Sequence, residues 1–274
     1  MGLSSNILWH QTKKDALKKI LKEKSFRFSY SLEHIEAGKY TLERAFPMLS
    51  LCDIPLADIE GYLMKYGGNS IGLSREWGKL HGITPVIYCE RSSNLLNHSV
   101  NLINQNNDEQ LDSYIVNLFS HIKNHEGKLP KYNYRKYRFF DEREVRIIPS
   151  IDDVLGLGEN PIISKEEYIN YKGNHNNSAL LPDVLNIPFS YNDIRYFILR
   201  DEDSISEIKS ILSKEIDLAK SRISFFTHQQ IREDFIGDNH NEIINKEIKE
   251  PIDIDNRKRA FPQIKGKITI DKNH

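Results

Sequence analysis

Cysteine is nearly absent from this chain: Cys52 and Cys89 are the two in 274 residues. Two thiols cannot build a disulfide framework or close a zinc site, so a reducing cytoplasm is the expected compartment. Long apolar runs are missing as well. No stretch approaches the ~18–20 residues that a membrane span requires, and Met1-Gly2-Leu3-Ser4-Ser5 lacks the apolar segment of a signal peptide. Neither sign of charge dominates. Lysine and arginine number 38 against 39 aspartates and glutamates, which excludes a globally basic nucleic-acid coat while leaving local patches open. Familiar catalytic signatures are also lacking. There is no Gly-x-Ser-x-Gly elbow and no phosphate-binding Gly-x-x-x-x-Gly-Lys, and Gly156-Leu157-Gly158 is too short for a dinucleotide fingerprint. His121 and His125 stand four apart on an expected helix, but not in metalloprotease order and without a third ligand, so no metal is expected.

What remains is a chain long enough to bury a core, with 39% hydrophobic and 28% charged residues. Strands are expected at Ile7–His10, Phe26–Tyr30, Phe46–Leu51, Ser70–Leu73, Val86–Cys89, Arg195–Leu199 and Arg222–Thr227. Helices are expected at Lys14–Lys24, Leu56–Lys65, Arg75–Leu80, Asp108–Lys123 and Ser204–Lys220, and Ile151–Ser190 reads as loop-rich. Strands mixed with single helices, without regular βαβ alternation, indicate an α+β fold. We expect a main domain over residues 1–236 and a polar tail over 237–274, docked on a partner or free.

Three constellations carry chemistry. Phe139-Phe140-Asp141-Glu142-Arg143-Glu144-Val145-Arg146-Ile147-Ile148 sets two glutamates at the head of a β-branched run. On an extended strand Glu142 and Glu144 would share one face and Val145 and Ile147 the other. Paired carboxylates suit a reaction passing through a cationic sugar, one stabilising the cation and the other orienting the nucleophile. The plainer alternative is a pair of solvated charges. Trp9-His10-Gln11-Thr12 puts His10 and Thr12 on one side of a strand end, where they could bond a ribose diol or a carboxamide, or simply each other. Lys128–Arg138 interleaves tyrosines with basic residues. Lys131, Tyr132, Tyr134, Arg135, Lys136 and Tyr137 could hold single-stranded nucleic acid by stacking and charge, or could cover part of the core as an amphipathic loop.

Taken in order, Trp9-His10-x-Thr12, Pro47-Met48-Leu49-Ser50-Leu51-Cys52-Asp53-Ile54-Pro55-Leu56, Tyr66-Gly67, Ile71-Gly72-Leu73-Ser74-x-Glu76-Trp77, Pro85-Val86-Ile87-Tyr88, Glu142-x-Glu144-x-Arg146 and Ile231-Arg232-Glu233-Asp234-Phe235 resemble the AbiGi family of bacterial abortive-infection proteins over roughly residues 6–236. More remotely, the layout is similar to DarT-type ADP-ribosyltransferases. That resemblance implies an ADP-ribosyltransferase-like split, mixed or antiparallel sheet with flanking helices. It implies NAD as substrate, met by Trp9, His10, Thr12 and Tyr66, with Glu144 as catalytic carboxylate and Glu142 as its partner. The expectation is therefore a phage-defence toxin that passes ADP-ribose from NAD to a base of RNA or single-stranded DNA. AbiGi proteins are also associated with the antitoxin role in a two-gene system. The alternative is accordingly a non-catalytic antitoxin or infection sensor on the same scaffold, bound to a cognate toxin.

Overall fold

Leu8 and Trp9 occupy successive positions of the strand Ile7–Thr12 and so face opposite ways, each into its own packed cluster. Leu8 joins Leu17, Leu21, Phe26 and Ile71, whereas Trp9 packs with Ile59, Leu63, Ile198 and Ile231. A strand buried on both faces belongs in the middle of a sheet, and that is where this one lies. The computed structural model describes residues 5–63, 66–105, 113–129 and 134–235. Among these, nine strands form one sheet, with the path Ser224–Thr227, Ile194–Leu199, Asn69–Ser74, Ile7–Thr12, Tyr40–Cys52, Glu144–Ile147 and Thr84–Pro85. Ser29–Ala37 and Ile163–Ser164 also pair with Tyr40–Cys52. Pairing is antiparallel throughout except between Ile194–Leu199 and Ser224–Thr227. The fold is α+β, as expected.

The register of the central strands creates a fork. Ile7–Thr12 pairs residue for residue with Asn69–Ser74, but meets Tyr40–Cys52 at Trp9 and Cys52 alone. Residues 40–48 of the long strand pair instead with Ser29–Ala37, from Ala37↔Tyr40 to Ser29↔Met48. Beyond Trp9 the two halves of the sheet part, and side chains from both line the space between them. The helix Lys14–Glu23 follows the first strand directly. Leu17 and Leu21 recur at helical spacing and are buried, its lysines stay outward, and left-handed Lys24 (φ 51°) ends it. Lys14 and Lys18 both reach Glu207 on the helix Glu202–Leu212.

Several boundaries differ from the expected ones, each for a local reason. The described part of the Asp108–Lys123 helix is Ser113–Phe119; Ile122–Asn124 then runs as a strand parallel to Ile87–Cys89. Residues 108–112 lie outside the described ones. His121 and His125 therefore flank a strand and are not one helical turn apart. The loop-rich stretch contains helices at Ile151–Gly156 and Lys165–Asn174. The second buries no residue fully, so apolar periodicity could not reveal it. Its capping box, Ser164 with Glu167, was the available signal. Glu202–Leu212 is shorter than the expected helix and is started by Asp201, which accepts from the Ser204 amide. Within the expected Leu56–Lys65 helix, the described residues form a 3₁₀ turn, Leu56–Asp58, and a short helix, Glu60–Leu63; residues 64–65 lie outside the described ones. The expected tail, from Gly237 on, lies outside the described residues. No helix among the described residues is long and apolar enough to cross a membrane.

Candidate functional site

The fork holds a cleft of about 440 Å³. Its wall contains Trp9, His10 and Thr12 from the first strand, Ser50 and Cys52 from the long strand, Tyr66, and the ion cluster of Glu33, Lys123, Glu142 and Glu144. Six residues singled out from sequence, namely Trp9, His10, Thr12, Tyr66, Glu142 and Glu144, thus converge on one cavity although they span 135 positions from Trp9 to Glu144.

The glutamates do not converge in the expected way. Glu142 closes the 3₁₀ turn Phe139–Glu142, left-handed Arg143 (φ 43°) reverses the chain, and Glu144 opens the strand Glu144–Ile147. They are not alternate residues of one strand. The pair that does share a strand face is Glu144 with Arg146, while Val145 and Ile147 enter the opposite core as expected.

Arg146 has no solvent exposure and holds the cluster together. Its Nε donates to Glu144 Oε1 at 2.8 Å and one Nη to Glu144 Oε2 at 3.1 Å; the same Nη donates to Glu33 Oε1 at 2.5 Å. The other Nη donates to the Ser120 carbonyl at 2.6 Å. Lys123 Nζ lies 2.8 Å from Glu144 Oε2 and 3.3 Å from Glu142 Oε2. Glu142 Oε1 accepts from the Tyr137 hydroxyl at 2.9 Å and from Tyr66 through a short contact. The Glu144 amide donates to Tyr88 Oη at 2.8 Å.

Burial alone would raise the Glu144 carboxyl, but Arg146 and Lys123 outweigh it and hold it well below the usual carboxylate range. Burial likewise opposes the Lys123 charge, yet Glu144, Glu33 and Glu142 keep its ammonium above the ordinary lysine range. Burial, then Glu142, pushes the Tyr66 and Tyr137 phenols up, so both stay protonated donors. The depressed carboxyl has a consequence for stability. Unfolded Glu144 binds a proton near pH 4.3 while the folded group refuses it until lower pH. Its contribution is complete above about pH 4.3 and is lost as pH falls through the folded value. Urea midpoints measured from pH 7 down to 3 should therefore decline below about pH 4.3, and less steeply in Glu144→Gln.

His10 Nδ1 lies 3.2 Å from the Ser50 carbonyl, which can only accept, so Nδ1 carries the hydrogen and Nε2 keeps its lone pair. Burial favours this neutral ring by lowering its pKa. Phe26 packs edge-on against it with centroids 5.2 Å apart. Tyr66 is placed by the glycine that follows. Gly67 sits at φ +117°, where an added Cβ would stand 2.5 Å from the Thr12 carbonyl carbon, so the turn lies directly on the end of the first strand.

The basic, tyrosine-rich segment has a different form from the expected loop. Tyr134–Arg138 is a strand paired with Glu126–Leu129, and Tyr134 and Arg135 lie on it. Lys131 and Tyr132 lie outside the described residues. Lys136 is exposed and pairs with Glu126 at 3.3 Å. Tyr137 donates its hydroxyl hydrogen to Glu142 in the cleft wall. Sequence reading missed Lys123, hidden inside an over-long expected helix, and Glu33, which belongs to the strand Ser29–Ala37. Arg146 was visible as the third member of Glu142-x-Glu144-x-Arg146, where period-two spacing already put it beside Glu144.

Residues 14–200 match the model of a family described as "Putative abortive phage resistance protein AbiGi, antitoxin". No curated protein and no solved structure matches the chain. The family description corrects the expectation of a toxin that transfers ADP-ribose to a nucleic-acid base, since it assigns its members to the neutralising side of the pair. Glu144, expected to stabilise a ribosyl cation, is paired in this structure with both Arg146 and Lys123.

Proposed function

The chain belongs to the AbiGi family, and from that premise we propose that it is the antitoxin of a two-gene abortive-infection system, working in the cytoplasm by binding its toxin and not by chemistry. The family match over residues 14–200 carries this reading. The cluster supports it from the physical side. A bidentate guanidinium and a shared ammonium leave Glu144 acting as a tie between strands and as the partner of a buried cation. Glu144 and Arg146 pair across with Cys52 and Ser50 of the long strand, and Arg146 also holds Ser120 and Glu33. That network fixes the shape of one wall of the fork. A rigid, preformed surface suits a protein that must recognise one partner tightly.

Co-expression of a tagged chain with the product of the adjacent gene tests the proposal. The two should purify together at fixed stoichiometry through gel filtration at 150 mM salt. Recovery of the chain free of that product, with the product folded and present in the lysate, would overturn binding as the mode of action.

A further inference from the structure

The cleft wall carries an uncompensated charge. Three carboxylates, Glu33, Glu142 and Glu144, meet two cations, Lys123 and Arg146, leaving one formal negative charge. The surplus falls on Glu142. Glu144 receives three charge-assisted hydrogen bonds, and Glu33 has Arg146 at 2.5 Å. Glu142 has two neutral phenols and the longer share of Lys123, at 3.3 Å against 2.8 Å to Glu144. A buried carboxylate beside apolar walls is costly without a counter-ion.

Other features of the same wall point to what would supply it. Tyr66 lines the cleft with an exposed ring, beside the buried Trp9 and Phe26, and aromatic faces attract organic cations. His10, also in the wall, keeps an acceptor lone pair at Nε2 once Nδ1 has donated to Ser50. Gln11 is a further wall residue whose Nε2 and Oε1 are both shielded from solvent and lack a partner among the described residues. At about 440 Å³ the cleft falls in the range of small-molecule sites. No group of three or more His, Cys, Asp or Glu among the described residues is placed to hold a metal ion, which favours an organic cation.

We propose that the fork binds a free, small organic monocation, an amine, amidine or guanidine on an aromatic or apolar body, with Glu142 as its counter-ion and Tyr66 against its body. This goes beyond the antitoxin reading and stands apart from it, because its test uses the chain alone. The full-length chain is titrated at pH 7.5 with benzamidine, a cation at that pH, and with benzamide, its neutral near-isostere, following tryptophan fluorescence. Benzamidinium should bind at least tenfold more tightly than benzamide. Glu142→Gln keeps an acceptor for both phenols and should erase that preference in a chain with wild-type circular dichroism. Lys123→Met removes a compensating cation and should move the preference the other way, so the two variants bracket the charge effect even if one folds poorly. Equal affinity for the two probes, no binding of benzamidinium at millimolar concentration, or an undiminished preference in folded Glu142→Gln would each overturn the proposal. Purified toxin distinguishes the sources of such a cation. Simultaneous binding of toxin and benzamidinium fits a free molecule, whereas competitive displacement would show that the toxin's own basic side chain is the occupant and refute the free ligand.

Discussion

Arg146→Leu is expected to lower the unfolding free energy by about 3–5 kcal/mol. The guanidinium is fully buried and engages Glu33, Glu144 and the Ser120 carbonyl at once. Removing it strands two carboxylates, with Lys123 alone to face them and Glu142 beside it. A buried ion pair broken from one side costs far more than the pair contributes as a whole, because the remaining charge keeps its desolvation penalty. Replacing Glu33, Glu144 and Arg146 together by apolar residues of similar volume should restore most of the loss. Equilibrium urea unfolding measures both. A loss under about 1 kcal/mol in Arg146→Leu would mean that water reaches the carboxylates and that the cluster is not the tie described above. Glu144→Gln falls under the same reasoning. Read as a catalytic knockout it should leave the fold untouched, but here it leaves Arg146 half-partnered and should cost stability.

Gly67→Ala is the second large effect, at least about 2 kcal/mol. Two independent penalties meet at this position. The backbone at φ +117° is one that L side chains rarely adopt, and the new Cβ would stand within 2.7 Å of three backbone atoms of Thr12 and Lys13. Backbone cannot swing aside as a side chain can, so the turn must lift. Tyr66 would lift with it and lose its bond to Glu142. Gly173→Ala is the matched control. Gly173 lies in the helix Lys165–Asn174 with nothing within 4 Å of a built Cβ, so alanine there should stabilise by about 0.5–1 kcal/mol. Thermal unfolding of the two variants side by side should move the midpoint in opposite directions. A neutral Gly67→Ala would show that the Tyr66–Gly67 turn is not seated on the first strand.

Much of the architecture was legible because its signals are short-range. Short apolar runs marked the strands around Trp9 and Ile71, and the spacing of Leu17 and Leu21 marked the first helix. Glu142 and Glu144 were found by their spacing, yet for a reason that proved wrong: a turn at left-handed Arg143, and not a shared strand face, brings both to Lys123. No local pattern encodes that Lys123, 19 residues before Glu142, lies between them. Nor does any local pattern say that Glu33 reaches Arg146 across 113 positions. Such pairings are products of sheet topology, in which the long strand Tyr40–Cys52 carries Ser29–Ala37 and Glu144–Ile147 together. The fork itself was equally illegible, since it follows from where pairing with the first strand stops. The direction of function was the deepest ambiguity. A His-x-Thr strand and a late glutamate serve an active site and a binding scaffold alike, and it is the family description that favours the antitoxin.

The most direct measurement is growth of cells carrying the adjacent gene under one inducible promoter and this chain under another. The chain alone should be benign at every level of induction. Co-induction should restore growth once its amount matches that of the toxin, and Glu142→Gln should rescue as well as wild type if it folds. Growth arrest by this chain alone, abolished by Glu142→Gln or Glu144→Gln in folded protein, would contradict the account outright.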